Sequence, residues 1–593
     1  MFKQSQRSLL RSLLSSNKSS VNTTSSRINL IKKNFSTSKY TNSSVSSSVT
    51  NTKNNHSNNN NQNQKSDNIF AYSTLLSVAA VLTTFTLNQQ SSISNDAKFA
   101  SPNANKKISV DEFVKHDTPE DCWVVIDGNV YDMTDFIDNH PGGRGAIVSN
   151  AGKDVTEIFD PIHAPGILEQ YLPEEKFLGI IDGEAPKPEF EMDEEELERL
   201  RRINNKPNIN QVFNIHDFEH IAKNILPKSA WAYYSTGADD EIIMRENHYA
   251  YQRIYFKPRI LRDVSEIDLS TEMLGVKTSA PFYLTATALA KLGHPDGEIG
   301  IAKAAGREDV IQMISTFSSC SLDDIAKVAV PGQTQWFQLY VNTERDVAYN
   351  LIKKAEELGM KGIFLTVDSV VAGNRETDKK MKAAKNADDE PTEIVPAPKP
   401  KIGRNLRSLI DPRLTWDDLK EFKKHSNLPI VLKGVQTVED VVLAAENGVS
   451  GVVLSNHGGR QLEYAPPPIE LLAEVMPVLR ERGLDKNFDV FVDGGVRRGT
   501  DILKAICLGA KGVGIGRPVL YSLSSYGEEG VVKAIDILKG ELDVNMRLLG
   551  VKNISELNES YVDTRKLLGR SANDNLFDRS YSPLNFVKFK EED

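Results

Sequence analysis

The chain has 593 residues, of which 39% are hydrophobic and 26% are charged, so it is long enough to fold as two or more domains. Its three cysteines cannot form a disulfide framework, and their spacing matches no metal site. The formal net charge is −10, but residues 1–95 hold ten basic and one acidic side chain, which leaves −19 on the remainder. An acidic body repels phosphates, which argues against nucleic acid as a partner and favours a basic one.

Residues 1–95 are interpreted as a targeting leader. The N-terminal segment MFKQSQRSLLRSLLSSNKSS is rich in Arg and Ser and lacks acidic residues, as mitochondrial transit peptides do. Residues 69–87 follow without a charge, and nineteen such residues are just long enough to span a bilayer. Together they predict a two-part signal for the mitochondrial intermembrane space. A retained anchor in the inner membrane is the alternative.

Residues 105–182 predict a small module with a hairpin and two histidines. Trp123–Ile126 and Val130–Tyr131 are short apolar strands on either side of an Asp-Gly-Asn turn. His140 precedes Pro-Gly-Gly, and His163 follows 23 residues later. With WVVIDGNVYDMT, this pattern resembles the cytochrome b5 family, an α+β fold, and the resemblance implies that both histidines bind heme b iron from opposite sides. Two imidazole ligands leave no position for oxygen, so such a centre passes single electrons.

The remaining chain predicts a linker and a barrel. Residues 183–210 are charged and bounded by prolines, and we expect a solvated linker. From 211 to 563, short runs rich in Val and Ile alternate with amphipathic segments, as in a parallel sheet covered by helices. The eight candidate strands are 281–287, 311–316, 336–341, 362–368, 429–435, 451–459, 490–495 and 512–518. They predict an α/β TIM barrel, (β/α)8. The alternative is a doubly wound open sheet, but the G-x-G-x-x-G motif that would support it does not follow the first strand.

Two further segments do not fit the barrel pattern. Residues 376–404 are charged and rich in proline, and they predict either a lid or a solvated loop. Residues 564–593 predict an extended C-terminal tail.

Polar residues end the predicted strands, which is where TIM barrels carry their chemistry. They are Gln338, Tyr340, Thr366, Asp368, Lys433, His457, Arg460 and Asp493. Near the last two strands, glycines would let backbone N–H groups approach a phosphate, and Arg517 would add a fork of donors. These glycines are Gly494, Gly495, Gly514 and Gly516.

The segments WAYYSTGADDE, TATALAKLGHP, LTVD, SNHGGRQL and VDGGVRRGTD together resemble the FMN-dependent 2-hydroxy acid oxidising family over about residues 211–563. The resemblance implies FMN, with Lys433 near flavin N1. The other residues it places around FMN are Ala286, Thr287, Ala288, Ser315, Gln338 and Thr366. The further predicted cofactor-binding residues are Asp493, Gly494, Gly495, Arg497, Gly516 and Arg517.

Oxidation of a 2-hydroxy acid requires a base, and His457 suits this role because the pKa of a histidine lies near working pH. Asp368 would stabilise the imidazolium, and Arg460 would hold the substrate carboxylate by two hydrogen bonds. The resemblance assigns the same roles and adds Tyr233 on the carboxylate, Tyr340 on the hydroxyl and Arg375 as a second cation.

The two resemblances together imply an enzyme that oxidises L-lactate to pyruvate with FMN and passes electrons singly through heme b to cytochrome c. The alternative is an oxidase of glycolate or another short 2-hydroxy acid that uses oxygen. Phe317 departs from the family, because lactate enzymes have Leu and glycolate oxidases Trp at this position, whereas Ala288 leaves room for a methyl group. A third interpretation is a heme electron carrier fused to an inactive barrel. The presence of the complete catalytic set argues against it. Resemblance also implies a homotetramer.

Overall fold

A computed structural model of the chain describes residues 103, 105–140, 144–160, 163, 166–168, 172–188, 194–384, 410–567 and 569. All of them belong to one folded unit, Ala97–Asp593. The leader with its apolar segment, residues 385–404 of the insertion and nearly all of the tail lie outside the described residues. In the described part, no helix combines the length and the apolarity that a membrane span needs.

Residues 105–182 form a small sheet with short helices, called here the N-terminal module. Its strands are β1 Lys107–Ser109, β2 Asp117–Thr118, β3 Asp121–Ile126, β4 Asn129–Asp132, β5 Lys153–Asp154 and β6 Phe177–Asp182, and its helices are α1 Val110–Phe113, α2 Gly145–Val148 and α3 Thr156–Phe159. The sheet order is β1-β6-β4-β3-β2, with β5 beside β3. The predicted hairpin is confirmed, since β3 and β4 pair antiparallel across Asp127 and Gly128. Their φ angles of 50° and 76° are those of a two-residue type I′ turn.

The segment predicted as a linker is only partly a solvated connector. Its second half contains the helix α4 (Glu194–Asn204). Arg199 Nη1 donates to the carbonyl of Ile225 at 2.8 Å, and Lys206 Nζ donates to the carbonyl of Ser525 at 2.7 Å. Charged side chains therefore attach this helix to the following domain. Ile203 of the same helix also packs against the hydrophobic core of that domain, a contact that the many charged residues around it obscured in the sequence.

The next elements lead into the barrel. They are α5 Ile215–Ile225, α6 Lys228–Ser235, α7 Ile242–Gln252, β7 Tyr255–Phe256 and the hairpin β8 Thr271–Met273 with β9 Val276–Thr278. The capping box of α5 shows why it begins where it does: the Asn214 side chain accepts from the N–H of Asp217, whose carboxylate accepts from the N–H of Asn214.

Eight parallel strands close into a barrel, as the sequence predicts. They are β10 Phe282–Leu284, β11 Ile311–Ser315, β12 Gln335–Leu339, β13 Ile363–Thr366, β14 Ile430–Val435, β15 Gly451–Leu454, β16 Asp489–Asp493 and β17 Gly512–Ile515. Each lies within a residue of a predicted run. Because β17 pairs back onto β10, the sheet is closed, and the open doubly wound sheet is excluded.

Helices follow the barrel strands and cover their outer face. They are α8 Gly297–Arg307, α9 Leu322–Lys327, α10 Arg345–Glu357, α12 Leu419–Lys424, α13 Val438–Glu446, α14 Pro468–Arg482, α15 Gly499–Cys507 and α16 Arg517–Leu549. The last is kinked at Gly527, whose φ is 61°. The helix α11 Glu376–Ala384, at the start of the predicted insertion, also follows β13, but its residues Asp378 and Met381 line the cavity described below. A final strand, β18 Val562–Asp563, pairs with β7.

The inner face of the barrel changes character along each strand. Strand side chains alternate between the two faces, so residues two apart share a face. Large apolar side chains fill the lower lumen, among them Tyr283, Trp336, Phe364, Val431, Val453 and Phe491. Two residues further along their strands, five of these positions are followed by inward polar residues that line a cavity: Thr285, Gln338, Thr366, Lys433 and Asp493. Since the strands are parallel, these polar residues meet at one rim above an apolar floor.

Candidate active site

The rim of the barrel borders a cavity of about 850 Å³ that extends to the N-terminal module. Its lining includes predicted residues from both parts of the chain: Tyr233, Ala286, Thr287, Ala288, Ser315, Gln338, Tyr340, Thr366, Arg375, Lys433, His457, Arg460, Asp493, Gly494, Gly495, Arg497, Gly516, Arg517, His140 and His163. Asp368 lies behind the lining, in contact with His457. The structure thus brings the predicted site residues together.

His457 follows β15 in an uncommon backbone conformation and contacts Asp368. Its φ of 58° is in the left-handed region, which non-glycine residues rarely adopt and which often marks functional positions. The His457 N–H donates to Ser455 Oγ at 3.0 Å, which supports this conformation. Nδ1 lies 3.0 Å from Asp368 Oδ1, and Nε2 lies 3.3 Å from Tyr340 Oη. The imidazole is therefore held between a carboxylate and a phenol.

The surroundings of this pair favour a neutral imidazole and a charged carboxylate. Burial lowers the pKa of His457, and the cations Lys433 and Arg375 lower it further, against the raising effect of Asp368. Burial alone would raise the pKa of Asp368, but His457 and Lys433 outweigh it, so the pKa of this carboxyl is lowered. A neutral imidazole with a carboxylate behind it is suited to accept a proton.

Lys433 and Asp493 form a buried ion pair at the ends of β14 and β16. Their Nζ and Oδ2 atoms are 3.3 Å apart, and each residue is 5% exposed. Burial opposes the charge on Lys433, but Asp493 and Asp368 outweigh it and raise the pKa of the lysine. Within the described residues Asp493 Oδ1 has no hydrogen-bond partner. A buried acceptor of this kind is costly unless a bound group donates to it.

Arg460 and Arg375 bring two positive charges to the cavity beside His457. Arg460 Nη1 donates to the carbonyls of Tyr233 at 2.8 Å and Thr236 at 3.0 Å, and its guanidinium lies 5.3 Å from the centre of the Tyr233 ring. Arg375 Nε is buried and lacks a hydrogen-bond partner in the described part of the chain. Burial lowers the pKa of Arg460, and the charge of Arg375 lowers it further. An anion between the two guanidiniums would relieve this repulsion.

Three strand ends share a chain of buried polar side chains. Ser315 Oγ donates to Gln338 Oε1 at 3.2 Å, and Gln338 Nε2 donates to Thr366 Oγ1 at 2.8 Å. All three residues are buried and line the cavity. The chain fixes the orientation of the Gln338 amide and presents a polar edge to a bound molecule.

The glycine segments after β16 and β17 form another wall. Gly494 and Gly495 have φ angles of 93° and 79°, which favour glycine. A Cβ on Gly495 would also lie 2.2 Å from the carbonyl oxygen of Asn247 in α7, so no side chain fits there. Arg517 donates at 2.9 Å to three backbone carbonyls, those of Tyr234, Gly458 and Thr236. Its side chain therefore braces the surrounding loops as well as lining the cavity.

His140 and His163 lie close together where the N-terminal module lines the cavity. Their ring centres are 6.0 Å apart, with an angle of 35° between the planes. His163 Nδ1 lies 2.9 Å from the carbonyl of Phe159, and the ring stacks on the Phe159 ring at 4.0 Å. A proton on Nδ1, shared with this carbonyl, leaves Nε2 with a free lone pair.

Sequence reasoning missed the amide side chains that hold the active-site loops. Asn247 and Asn456 pair through both amides at 2.8 and 2.7 Å, and each is 1% exposed. Gln461 Nε2 donates to the carbonyls of Asp368 at 2.8 Å and Val371 at 2.9 Å. The one signal in the sequence was the place of Asn456 next to His457.

The comparisons with known proteins agree with this geometry. Residues 222–564 match the family described as FMN-dependent dehydrogenase, and residues 109–182 match the cytochrome b5-like heme/steroid binding domain. The chain belongs to the FMN-dependent dehydrogenase family.

Individual relatives extend the likeness beyond the barrel of this FMN-dependent dehydrogenase. The L-lactate dehydrogenase (cytochrome) of Wickerhamomyces anomalus is 55% identical over 479 residues, 80% of this chain and 84% of the relative. The protein of the same name from Saccharomyces cerevisiae is 49% identical over 509 residues, 82% of this chain and 85% of the relative. A solved structure of a flavocytochrome b2 variant with pyruvate bound is 49% identical with a TM-score of 0.61, and the match covers 68% of this chain and 100% of that one.

FMN is the cofactor of the family, and the barrel cavity of this dehydrogenase fits it. The residues that would hold it are the Ser315–Gln338–Thr366 chain, Lys433 with Asp493, and the glycine wall with Arg497 and Arg517. The cavity is large enough for a ring system of this size. Asp493 Oδ1, which has no partner among the described residues, can accept a hydrogen bond from the bound group, and the charge of Lys433 suits an anionic one.

Heme b is the second cofactor, and the histidine pair fits it. An imidazole nitrogen binds a first-row metal such as zinc at about 2.0–2.1 Å, so two rings on opposite sides of one ion have centres on the order of 6 Å apart. The observed 6.0 Å agrees. The neighbouring Pro141–Gly143 lies outside the described residues.

Proposed function

We propose that this chain oxidises L-lactate to pyruvate and delivers the electrons to cytochrome c. The observation that carries the proposal is that the His457–Asp368 pair, Tyr340 and two guanidiniums line or border one cavity. A 2-hydroxy acid has one carboxylate and one hydroxyl on adjacent carbons, and this site offers cations for the first and a base for the second. The two relatives named L-lactate dehydrogenase (cytochrome) support lactate as the acid.

Arg460 and Arg375 bind and orient the substrate carboxylate. The carbonyls of Tyr233 and Thr236 hold Arg460 Nη1 in place, so the rest of the guanidinium is presented without loss of side-chain freedom on binding. Neutralisation of the mutual repulsion of the two arginines adds to binding. The substrate hydroxyl and its carbon are thereby directed toward Tyr340 and His457.

His457 accepts the proton that the substrate loses. Its lowered pKa keeps Nε2 unprotonated near neutral pH, and Asp368 stabilises the imidazolium once it forms. Tyr340 remains a phenol, because burial and the charge of Asp368 raise its pKa to about 12. It therefore donates a hydrogen bond to the substrate oxygen rather than competing as a base.

FMN supplies a two-electron acceptor, and heme b supplies a one-electron relay to the external protein. The cavity that contains the proposed flavin site reaches His140 and His163, so both centres open onto one space. Lys433, beside the flavin site, stabilises added negative charge there. The net negative charge of the chain favours a basic acceptor such as cytochrome c.

The alternative is a glycolate or other short 2-hydroxy acid oxidase that reduces oxygen. Phe317 at the cavity wall is the observation behind it, because a large ring there favours a small substrate. The histidine pair opening onto the same cavity favours electron transfer to heme instead.

Anaerobic mixing of the purified protein with L-lactate separates these functions. The proposal expects the flavin band to bleach first, the reduced heme band to follow, and cytochrome c to be reduced when added. An oxidised heme that persists after flavin reduction, with hydrogen peroxide formed in air, would favour the oxidase. D-lactate, glycolate and mandelate in parallel measure specificity.

The mitochondrial intermembrane space and a homotetramer are parts of the same proposal. The acid-free, Arg- and Ser-rich N-terminus and residues 69–87 support the location, and the family resemblance supports the assembly. Import into isolated mitochondria followed by protease protection tests the location. Light scattering on the eluting protein tests the assembly, with a single mass near four times that of the processed chain expected.

A further inference from the structure

We infer that Glu298 is a positioning residue that ties two active-site loops together and thereby sets the shape of the substrate pocket. The first loop (residues 285–296) follows β10, and the second loop (residues 316–321) follows β11. Glu298 itself lies in the first turn of α8, is 2% exposed and is behind the cavity wall rather than in it. The inference rests on the proposed function only for the identity of the substrate.

The carboxylate of Glu298 accepts four hydrogen bonds, which come from both loops. Oε1 accepts from the N–H groups of Ala290 and Ser319, each at 3.0 Å. Oε2 accepts from Ser319 Oγ at 2.8 Å and from the N–H of Cys320 at 3.1 Å. Ser319 Oγ also accepts from the N–H of Lys291 at 2.9 Å, which adds a second link between the loops.

This arrangement requires an acceptor with no hydrogen of its own. Three of the four donors are backbone N–H groups, which cannot reverse their direction. An ionised carboxylate offers acceptor positions on both oxygens, and hydrogen bonds to a charged acceptor are stronger than neutral ones. A glutamine of the same shape would turn an NH₂ group toward N–H donors and leave part of the set unpaired.

Through these hydrogen bonds, Glu298 positions residues of both loops that line the cavity. The first loop contributes Ala286–Ala288, and the second contributes Phe317. Leu289 joins them, because its N–H donates to the Phe317 carbonyl at 3.2 Å and its own carbonyl accepts from Tyr234 Oη at 2.7 Å. Leu289 has a φ of 57°, a conformation that needs such support. Displacement of either loop would therefore move Phe317 relative to Tyr340.

The neighbouring Gly297 shows how little room the tie leaves. Its φ is 49°, and a Cβ there would lie 2.7 Å from Lys291 Cγ and 3.0 Å from Cys320 Sγ. The two loops thus close over the start of α8, and the Glu298 carboxylate fills the space between their backbones.

The test compares Glu298→Gln with Glu308→Gln, the same change at the other end of α8, where Glu308 pairs with Lys539 at 3.3 Å. Two quantities are measured on the full chain: the dissociation constant of FMN, by fluorescence titration of the FMN-depleted protein, and the ratio of kcat/KM for L-lactate and L-mandelate in anaerobic flavin reduction. We expect Glu298→Gln to weaken FMN binding and to change the ratio, each by about 10-fold, while Glu308→Gln changes neither beyond about 2-fold.

Ser319→Ala is the second variant in case Glu298→Gln folds poorly. It removes the hydroxyl between Glu298 and Lys291 with little loss of volume, so a smaller change in the same direction is expected. The inference is overturned if, in both variants, the FMN dissociation constant and the ratio of kcat/KM for the two acids are the same as in Glu308→Gln. A wild-type protein that L-lactate does not reduce would instead overturn the proposed function, and the FMN comparison would still stand.

Discussion

Phe317 stacks on Tyr340, with ring centres 5.0 Å apart and planes inclined by 20°. Because Tyr340 in turn lies 3.3 Å from the base, a residue of the second loop packs against the phenol that contacts His457. Phe317 thus both narrows the pocket and supports Tyr340.

Replacement of Phe317 tests its effect on pocket size. We expect Phe317→Leu to raise kcat/KM for L-mandelate by about 10-fold relative to L-lactate, because pocket contacts of this size change discrimination by about 10–200-fold. Phe213→Leu is the matched control, since Phe213 is 76% exposed. Steady-state kinetics with both acids provide the measurement, and an unchanged ratio would contradict the assignment.

Removal of the base should stop flavin reduction without loss of either cofactor. In His457→Gln we expect the rate with L-lactate to fall by at least about 10²–10⁴-fold, the usual contribution of a general base. Stopped-flow absorbance at the flavin band measures it, and the heme spectrum serves as an internal check. His425→Gln, at an exposed histidine that stacks on Tyr349, should retain the wild-type rate.

The pH dependence follows from the lowered pKa of His457. The base is active when neutral, so kcat/KM should stay constant as the pH falls through 6.5, the ordinary value for histidine, and should decline only below it. In Asp368→Asn the carboxylate no longer raises the pKa of His457, so the acidic limb should move to lower pH while the maximum rate drops. A limb that moves to higher pH in this variant would contradict the electrostatic account.

Loss of a heme ligand should separate the two halves of the reaction. In His163→Ala we expect the heme band and cytochrome c reduction to be lost, while L-lactate still reduces the flavin, because His163 belongs to the N-terminal module and His457 and Asp368 belong to the barrel. Absorbance spectra before and after addition of L-lactate show both. His116→Ala is the control in the same module, where the His116 ring stacks on Trp123 at 3.4 Å. Continued heme binding in His163→Ala would refute the ligand assignment.

The barrel and most of its site were predictable because strand alternation carries the information. Phe364 and Thr366 share the inner face of β13, as Val431 and Lys433 do on β14. The position at which the inward side chains change from apolar to polar therefore marks the rim. Parallel strands bring such rims together whatever the loops between them contain.

Other features depended on contacts that no local pattern specifies. The amide pair of Asn247 and Asn456 joins residues 209 apart in the chain, and the carboxylate of Glu298 accepts from Ser319, 21 residues away. The helix α4 appeared in the sequence only as a charged stretch. Its attachment to the barrel domain combines the hydrogen bond of Arg199 to a carbonyl with the apolar contact of Ile203, and the partners of both lie outside the helix itself.

The apolar floor beneath the rim restricts how small molecules enter and leave the site. Tyr283, Trp336, Phe364 and Phe491 fill the lumen below the polar residues, so the reaction space is a dead end at the bottom of the barrel. Substrate and product must use the same side for arrival and departure. Each pyruvate has to leave before the next lactate can enter, and the keto acid should therefore inhibit by direct competition.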